Sequence, residues 1–393
     1  MNKAILDKNV QEYIRTNVHA DIVRISLSKS PFPALSSKEL AQQLDGRKRC
    51  ENKLPLWYDT VGIFYPAKLA LEQSSSELTA KYKSGLVKGA KVIDLTGGYG
   101  VDAAFFSQKV KDVTHCELNN ELSEISAHNA GVLGFSIKYV QGDGVEYLRL
   151  SDDFYDTIYI DPSRRLSSRK VFMLKDCEPD IISEKELLFG KCKRLIIKTA
   201  PLLDLHSTIR ELDRVSAIHI LSVKNECKEV LYIIDQDSEE TDPPITCAAL
   251  NKENIETFTF RISAEMEFES GPFNRPLTYL YEPDVALLKA GCFKLITKEF
   301  NVKKLHQHTH LYTSDTLKEN FIGRKFEVLN TWDYGSFSKR QDFKKANIIC
   351  RNFPQAPENI RKKLRISEGG IEYLLFCTGP GNELLVIHCN RLL

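Results

Sequence analysis

The chain has 393 residues, 42% of them hydrophobic and 27% charged, with a formal net charge of +1. That is ordinary globular composition with room for two or three domains, and no segment approaches the ~20 continuous apolar residues of a membrane helix. The ten cysteines stand singly, without a C-x-x-C, which predicts buried reduced thiols in a cytoplasmic protein rather than disulfides or zinc.

The N-terminus, MNKAILDKNVQEYIRTN, has neither a long apolar core nor a small-residue cleavage site, so export is not expected. Residues 1–85 read as a helical region. Val10, Tyr13, Ile14, Val18, Ile22 and Ile25 recur with helical spacing, and Pro31-Phe32-Pro33 then interrupts the pattern. Ser36-Ser37-Lys38-Glu39 is a capping box, and Ser74-Ser75-Ser76-Glu77 is a second candidate.

Residues 91–235 alternate between strand and helix patterns. Val92–Asp102 (VIDLTGGYGVD) is an apolar strand ending in Asp94, then a turn with Gly97, Gly98 and Gly100, then a helix-like run. Such a turn lets the backbone approach a ligand with a helix N-terminus behind it. Gly98–Ala103 fits G-x-G-x-x-A, a weak nucleotide signal by itself. The charges sharpen it. A pyrophosphate at that helix start would be opposed by Asp94 and Asp102, whereas an ammonium and a sulfonium would be favoured. S-adenosylmethionine (SAM) is therefore expected rather than NAD. Tyr99, in the turn, either lies over the cofactor or packs against the N-terminal helices.

A second strand, Asp112–Glu117, ends in an acid 23 residues beyond Asp94, placed to take both hydroxyls of a ribose. Cys116 beside it reads as core. Ile137–Asp143 is a third strand, whose terminal acid suits an adenine amino group. Asp156–Pro162 is a fourth, ending in Asp161-Pro162. Four strand-end acids in order put the polar groups on one rim of a parallel sheet, where ligands bind in open α/β folds. Further strands are expected at Arg194–Thr199, Val215–Val223 and Glu229–Asp235, the last two as a hairpin at the sheet edge. The fold class is α/β, with a Rossmann-like sheet of seven strands.

Gln236–Pro244 marks the exit from this core, and Glu256–Ile262 begins further β structure. From about Asn274 a small α+β module is expected, with a helix at Asp284–Ala290 stopped by Gly291 and a strand at Cys292–Thr297. His306, His308 and His310 alternate, so on a strand they would share one face. No cysteine or acid cluster completes a metal site, and no metal is expected. Residues 321–393 read as several strands around one basic helix, Pro357–Leu364. Residues 293–393 hold 17 Lys and Arg against 10 Asp and Glu, a balance of +7, against −6 for the remainder. Such asymmetry suits a polyanionic partner, with Lys303, Lys304, Arg361, Lys362, Lys363 and Arg365 on phosphates and Tyr312, Phe337 and Phe343 available for stacking.

The motifs LTGGYGVD (95–102), NECKEVLY (225–232), YLYEPDVALLKAG (279–291), HLYTSD (310–315) and RNFP (351–354), together with SSELTAKYK (75–83), resemble one group. They are similar to bacterial class I SAM-dependent methyltransferases carrying a small ferredoxin-like module and a C-terminal THUMP-like domain. The resemblance covers most of the chain. It implies a SAM-binding domain over 86–273, the ferredoxin-like module over 274–320 and the THUMP-like domain over 321–393. By analogy with true THUMP domains, it also implies an RNA partner. The expected cofactor residues are Asp94, Thr96, Gly97, Gly98, Gly100, Asp102, Glu117, Leu118, Asp143 and Gly144.

Asp161 and Pro162 are expected at the chemical step. Amino-group methyltransferases usually continue Asp/Asn-Pro with a second proline and an aromatic, but here Ser163, Arg164 and Arg165 follow. Arg164 and Arg165 could stack on a base or hold a phosphate. The leading expectation is an RNA methyltransferase. Alternatives are a protein or small-molecule acceptor, a non-catalytic RNA-binding protein retaining SAM affinity, and an NAD oxidoreductase, disfavoured by the acids.

Overall fold

The computed structural model describes residues 1–164, 173–340 and 342–392. The chain divides into two compact units: Met1–Ile218 with Glu229–Thr241, and His219–Lys228 with Asp242–Leu393. No helix among the described residues is long and apolar enough to cross a membrane.

The first unit opens with helices α1 (Lys8–Thr16), α2 (Ile22–Leu27), α3 (Ser37–Lys53), α4 (Pro55–Asp59), α5 (Lys68–Gln73) and α6 (Glu77–Ser84). The apolar stripe from Val10 to Ile25 is not one helix. Asp21 accepts hydrogen bonds from the Val23 and Arg24 amides and starts α2 afresh. The capping box at Ser36 and Glu39 is formed in full at the head of α3. In the second serine run the cap is Ser76, whose hydroxyl accepts from the Thr79 amide, rather than Ser74. These helices bury Leu40, Leu44, Trp57 and Tyr65 in one apolar cluster with Tyr99 and Phe105.

The sheet of this unit is built from β1 (Lys91–Asp94), β2 (Asp112–Glu117), β3 (Lys138–Gln141), β4 (Tyr155–Ile160) and β5 (Cys192–Thr199). All five pair in parallel, in the order β3-β2-β1-β4-β5. Their near-continuous apolar runs suit strands covered on both faces. Next come β6 (Ala217–Val223) and β7 (Glu226–Asp235), and β7 lies antiparallel to β5. With these two, the seven expected strands are present. Their hairpin turns on Lys224 and Asn225 alone, both at positive φ, so β7 begins three residues earlier than its apolar pattern suggests.

In the second unit, β6 pairs with β8 (Ile245–Leu250), which pairs with β9 (Ile255–Phe260), so the hairpin is not a sheet edge. A second sheet follows, with β10 (Tyr279–Pro283), β11 (Tyr312–Ser314), β12 (Gly323–Asp333), β13 (Lys345–Arg351), β14 (Ser367–Thr378) and β15 (Leu384–Leu392). Its order is β11-β10-β12-β15-β14-β13, with a two-residue strand, Lys303–Lys304, outside β11. The basic helix Pro357–Leu364 is the crossover between the parallel pair β13 and β14.

Two expectations fail here. Cys292–Thr297 is not a strand. The Glu265 carboxylate accepts hydrogen bonds from the Phe293, Lys294 and Leu295 amides and holds the start of a helix, Leu295–Glu299. His306, His308 and His310 do not share a strand face either. They lie on the turn between Lys303–Lys304 and β11, with His310 at φ +50 and its ring 3.9 Å from Phe293. Among the described residues no three His, Cys, Asp or Glu side chains converge as a metal site.

Candidate functional site

The rim formed by the C-terminal ends of β1, β2 and β4 is tied together by short-range hydrogen bonds. Asp94 is buried and its Oδ1 accepts from the Thr96 amide at 3.0 Å. The Thr96 hydroxyl accepts from the Asp161 amide at 2.7 Å, joining the ends of β1 and β4. The Gly97 amide donates to Cys116 O at 2.8 Å, joining the turn to β2. A Cβ at Gly97 would stand 2.1 Å from His115 Nε2, so glycine there permits close packing. Gly98 differs. At φ +56 its absent side chain would meet only Thr96 O, at 4.0 Å, which leaves open space above the turn. Gly100 is the left-handed cap of the following helix, α7 (Val101–Ser107).

Glu117 closes over this turn. Its two oxygens accept from the Gly98 amide at 2.8 Å and the Asn119 amide at 2.7 Å, so its carboxylate is fixed on the rim. Leu118 beside it is 73% exposed, an apolar side chain presented to solvent. Asp143 caps the next helix, accepting from Val145 and Glu146. Gly144 packs where a Cβ would lie 2.3 Å from Leu95 O, so its place in the site is steric. Burial, reinforced by the Asp102 charge, pushes the Asp94 carboxyl well above its ordinary range. Tyr99 packs into the apolar cluster of the N-terminal helices, and its hydroxyl donates to Phe64 O and accepts from Asn129. Cys116 is core, its thiol pushed up to about 12 by burial.

Asp102 does not face the cofactor side of the turn as its sequence position suggests. It is buried under the turn, where Oδ2 accepts from Ser75 Oγ at 2.7 Å and Tyr159 OH at 2.9 Å, and Oδ1 pairs with Lys83 Nζ at 2.9 Å. Lys83 is fully buried and also pairs with Glu229 at 3.1 Å. Burial would raise Asp102, but Lys83 and Lys198 hold it below its ordinary value. Its charge is therefore matched from within, which leaves Glu117, held by two backbone amides, as the carboxylate fixed on the rim.

Asp161 is half-buried at the end of β4 and paired with Lys198 at the end of β5. Burial would lower Lys198, yet the Asp161, Glu229 and Asp102 carboxylates keep it above the usual lysine value. Pro162 is buried. Ser163–Arg164 form a two-residue strand against Cys177–Glu178. Arg165 lies outside the described residues, as does the side chain of Arg164.

Sequence reasoning missed Lys83, Lys198, Glu229 and Ser75. A signal existed: Lys198 interrupts the apolar strand RLIIKT, and the other three lie in SSELTAKYK and NECKEVLY. In the second unit, Arg361 pairs with Glu368 at 3.1 Å and Lys363 donates to Tyr334 OH at 3.0 Å, while Lys362 is exposed. Tyr312 and Phe337 are buried core residues, and Phe343 packs on Trp332.

His115 supports the site from below. Burial pushes its imidazole down to about 4, with the Gly97 backbone acting in the other direction. The unfolded chain takes up a proton below about pH 6.5, so the neutral ring's stability is complete above that pH and lost as pH falls toward 4. We expect His115→Gln to lack this slope. The wild-type advantage over the variant should shrink by about 3 kcal/mol between pH 7 and pH 4. Urea unfolding of both proteins across that range checks this, and a pH-independent difference would refute it.

Residues 279–321 match a family model described as a ferredoxin-like domain, and residues 323–391 one described as THUMP domain-like. The chain is 32% identical to a candidate methyltransferase of known crystal structure from Porphyromonas gingivalis W83. The match covers 100% of this chain and 99% of that one, with a TM-score of 0.86. It is 22% identical over 332 residues to an uncharacterized S-adenosylmethionine-dependent methyltransferase of Mycobacterium tuberculosis, covering 81% of this chain and 87% of that protein.

Proposed function

This chain belongs to the bacterial class I SAM-dependent methyltransferases that carry a ferredoxin-like module and a THUMP-like domain, and we propose that its acceptor is RNA. The observation supporting RNA is the THUMP-like segment 323–391 lying within the +7 stretch 293–393. We read residues 1–85 as a helical layer, 86–273 as the methyltransferase domain, and 274–320 and 321–393 as the two C-terminal modules. Eight of the ten cysteines are buried, which suits a cytoplasmic setting.

The rim fits the cofactor chemically. Gly98 leaves open space, Glu117 presents a fixed carboxylate, and Leu118 offers an exposed apolar side chain. When bound, SAM supplies an electrophilic methyl group on its sulfonium. Asp94 and Thr96 would face its amino-acid end, Glu117 the ribose hydroxyls, and Leu118, Asp143 and Gly144 the adenine. Asp161 would receive the acceptor. Because Lys198 already matches its charge, Asp161 suits accepting a hydrogen bond that orients the nucleophile more than removing a proton outright.

Glu117→Gln should weaken S-adenosylhomocysteine binding by about 1.5–3 kcal/mol, the usual worth of a charged hydrogen-bonding partner. Titration calorimetry measures this, and unchanged affinity would remove Glu117 from the site. The acceptor is tested by labelled-methyl transfer to total RNA and to protein extract. Incorporation into RNA is the expected outcome; incorporation into protein alone would overturn the RNA reading.

A further inference from the structure

Phe273, His306 and His308 form a run of rings at the surface of the second unit. Phe273 is 41% exposed, its ring centroid is 5.9 Å from that of His306, and His306 lies 5.7 Å from His308. The three rings together offer flat faces on which planar groups can stack. The rings are also held in place. The Asn274 amide donates to Lys304 O at 3.0 Å and pins the Phe273 loop to the edge of the sheet. His306 Nδ1 accepts from the His308 amide at 3.1 Å and from Asn352 Nδ2 at 3.3 Å, and Nε2 faces Asn382 Oδ1 at 3.1 Å. Asn352 belongs to the motif RNFP, so that motif helps to fix the orientation of His306.

The residues flanking Phe273 and the edge strand line a cleft of about 320 Å³, with Phe268, Pro272, Asn274 and three lysines, Lys298, Lys303 and Lys304, and no carboxylate in its wall. Lys304 is buried and donates to Gln307 O at 2.9 Å. Lys298 and Lys303 are exposed, Lys298 with its Nζ 5.9 Å from the Phe268 ring, so both can meet an anion. Exposed cations and exposed rings on one segment are what an unpaired nucleic-acid strand needs: phosphate neutralisation and a stacking platform for splayed bases.

We propose that this face of the second unit, where residues 268–274 meet the ferredoxin-like segment, binds a single-stranded stretch of the RNA, with bases on Phe273 and His308 and phosphates at Lys298 and Lys303. The proposal rests on the RNA reading above and gives it a location. Double-stranded RNA, whose bases are already stacked, should bind this face poorly.

The test uses the full chain and a fluorescent single-stranded oligoribonucleotide, followed by anisotropy from 50 to 300 mM salt. Phe273→Ala should weaken binding about tenfold. The double variant Lys298→Ala/Lys303→Ala should make the salt dependence shallower by about 1.4 in logarithmic slope. S-adenosylhomocysteine binding should stay unchanged in both, which shows that they fold. An RNA duplex should compete weakly. If the wild type binds the oligonucleotide and the variants bind it equally well, this face is refuted and the RNA reading stands. If the duplex or polyglutamate competes as well as the single strand, the stacking platform is refuted. If the wild type binds no RNA at low salt, the RNA reading falls, and this proposal with it.

Discussion

Lys83→Met is expected to destabilise the protein by about 3–5 kcal/mol, the range for removing one partner of a buried ion pair. Lys83 is fully buried and is the cation shared by Asp102 and Glu229, with Ser75 Oγ at 2.6 Å. Without it, two carboxylates with 8% and 3% exposure would lose the cation they share. The loss should appear as a lower urea midpoint at an unchanged slope. Neutralising the acids as well, in Lys83→Met/Asp102→Asn/Glu229→Gln, should restore much of it, because an apolar or neutral core tolerates what an orphaned charge does not. A loss below about 1 kcal/mol in the single variant would mean that the network is not shielded from water. The network links α6, α7, β4 and β7, so the glycine turn sits on a polar plug in which Lys83 is the cation that Asp102 and Glu229 share.

Asp161→Asn is expected to reduce methyl transfer by about 100-fold while S-adenosylhomocysteine affinity changes less than about twofold. The carboxylate is at the end of β4, and its backbone amide, donating to Thr96, is retained in the variant. What changes is the charge facing Lys198. An amide cannot match that cation, so Lys198 should lose its anchor and the acceptor its orienting group. Lys198→Ala tests the same pair from the other side. It leaves Asp161 without its cation, and the pH profile of turnover should move while cofactor affinity holds. Equal turnover in wild type and Asp161→Asn would make Asp161 a structural residue.

How far the sequence reaches depends on the range of the interactions involved. Strand ends and the glycine turn are legible because a period, an acid and a φ-permissive residue coincide within a few positions, as at Val92–Gly100. The helix Pro357–Leu364 is legible to the residue for the same reason: proline starts it, and its pattern is local. The failures share the opposite property. Cys292–Thr297 has an apolar run that suits a strand, and only a carboxylate 28 residues upstream, Glu265, turns its end into a helix. The imidazoles at 306, 308 and 310 alternate in sequence, but a left-handed residue at His310 removes the pleat that would align them.

The same distinction governs the site. Glu117 is readable as a rim acid because strand and turn place it directly. Asp102 is misread because its partners are Ser75, Lys83 and Tyr159, up to 57 positions away, and Lys83 is in turn shared with Glu229. Lys198 escapes notice because a lysine in an apolar strand has meaning only once β5 lies beside β4 and Asp161 faces it. Charge alone also overstates Arg361 and Lys363, which are held by Glu368 and Tyr334.

The most direct measurement is mass spectrometry of nucleosides from cellular RNA, taken from cells with this protein, without it, and with the Asp161→Asn variant supplied instead. One methylated nucleoside should be present with the wild type, absent without it, and absent again with the variant. Identical nucleoside profiles in all three, with labelled methyl from SAM entering protein but not RNA, would contradict an RNA acceptor at this site.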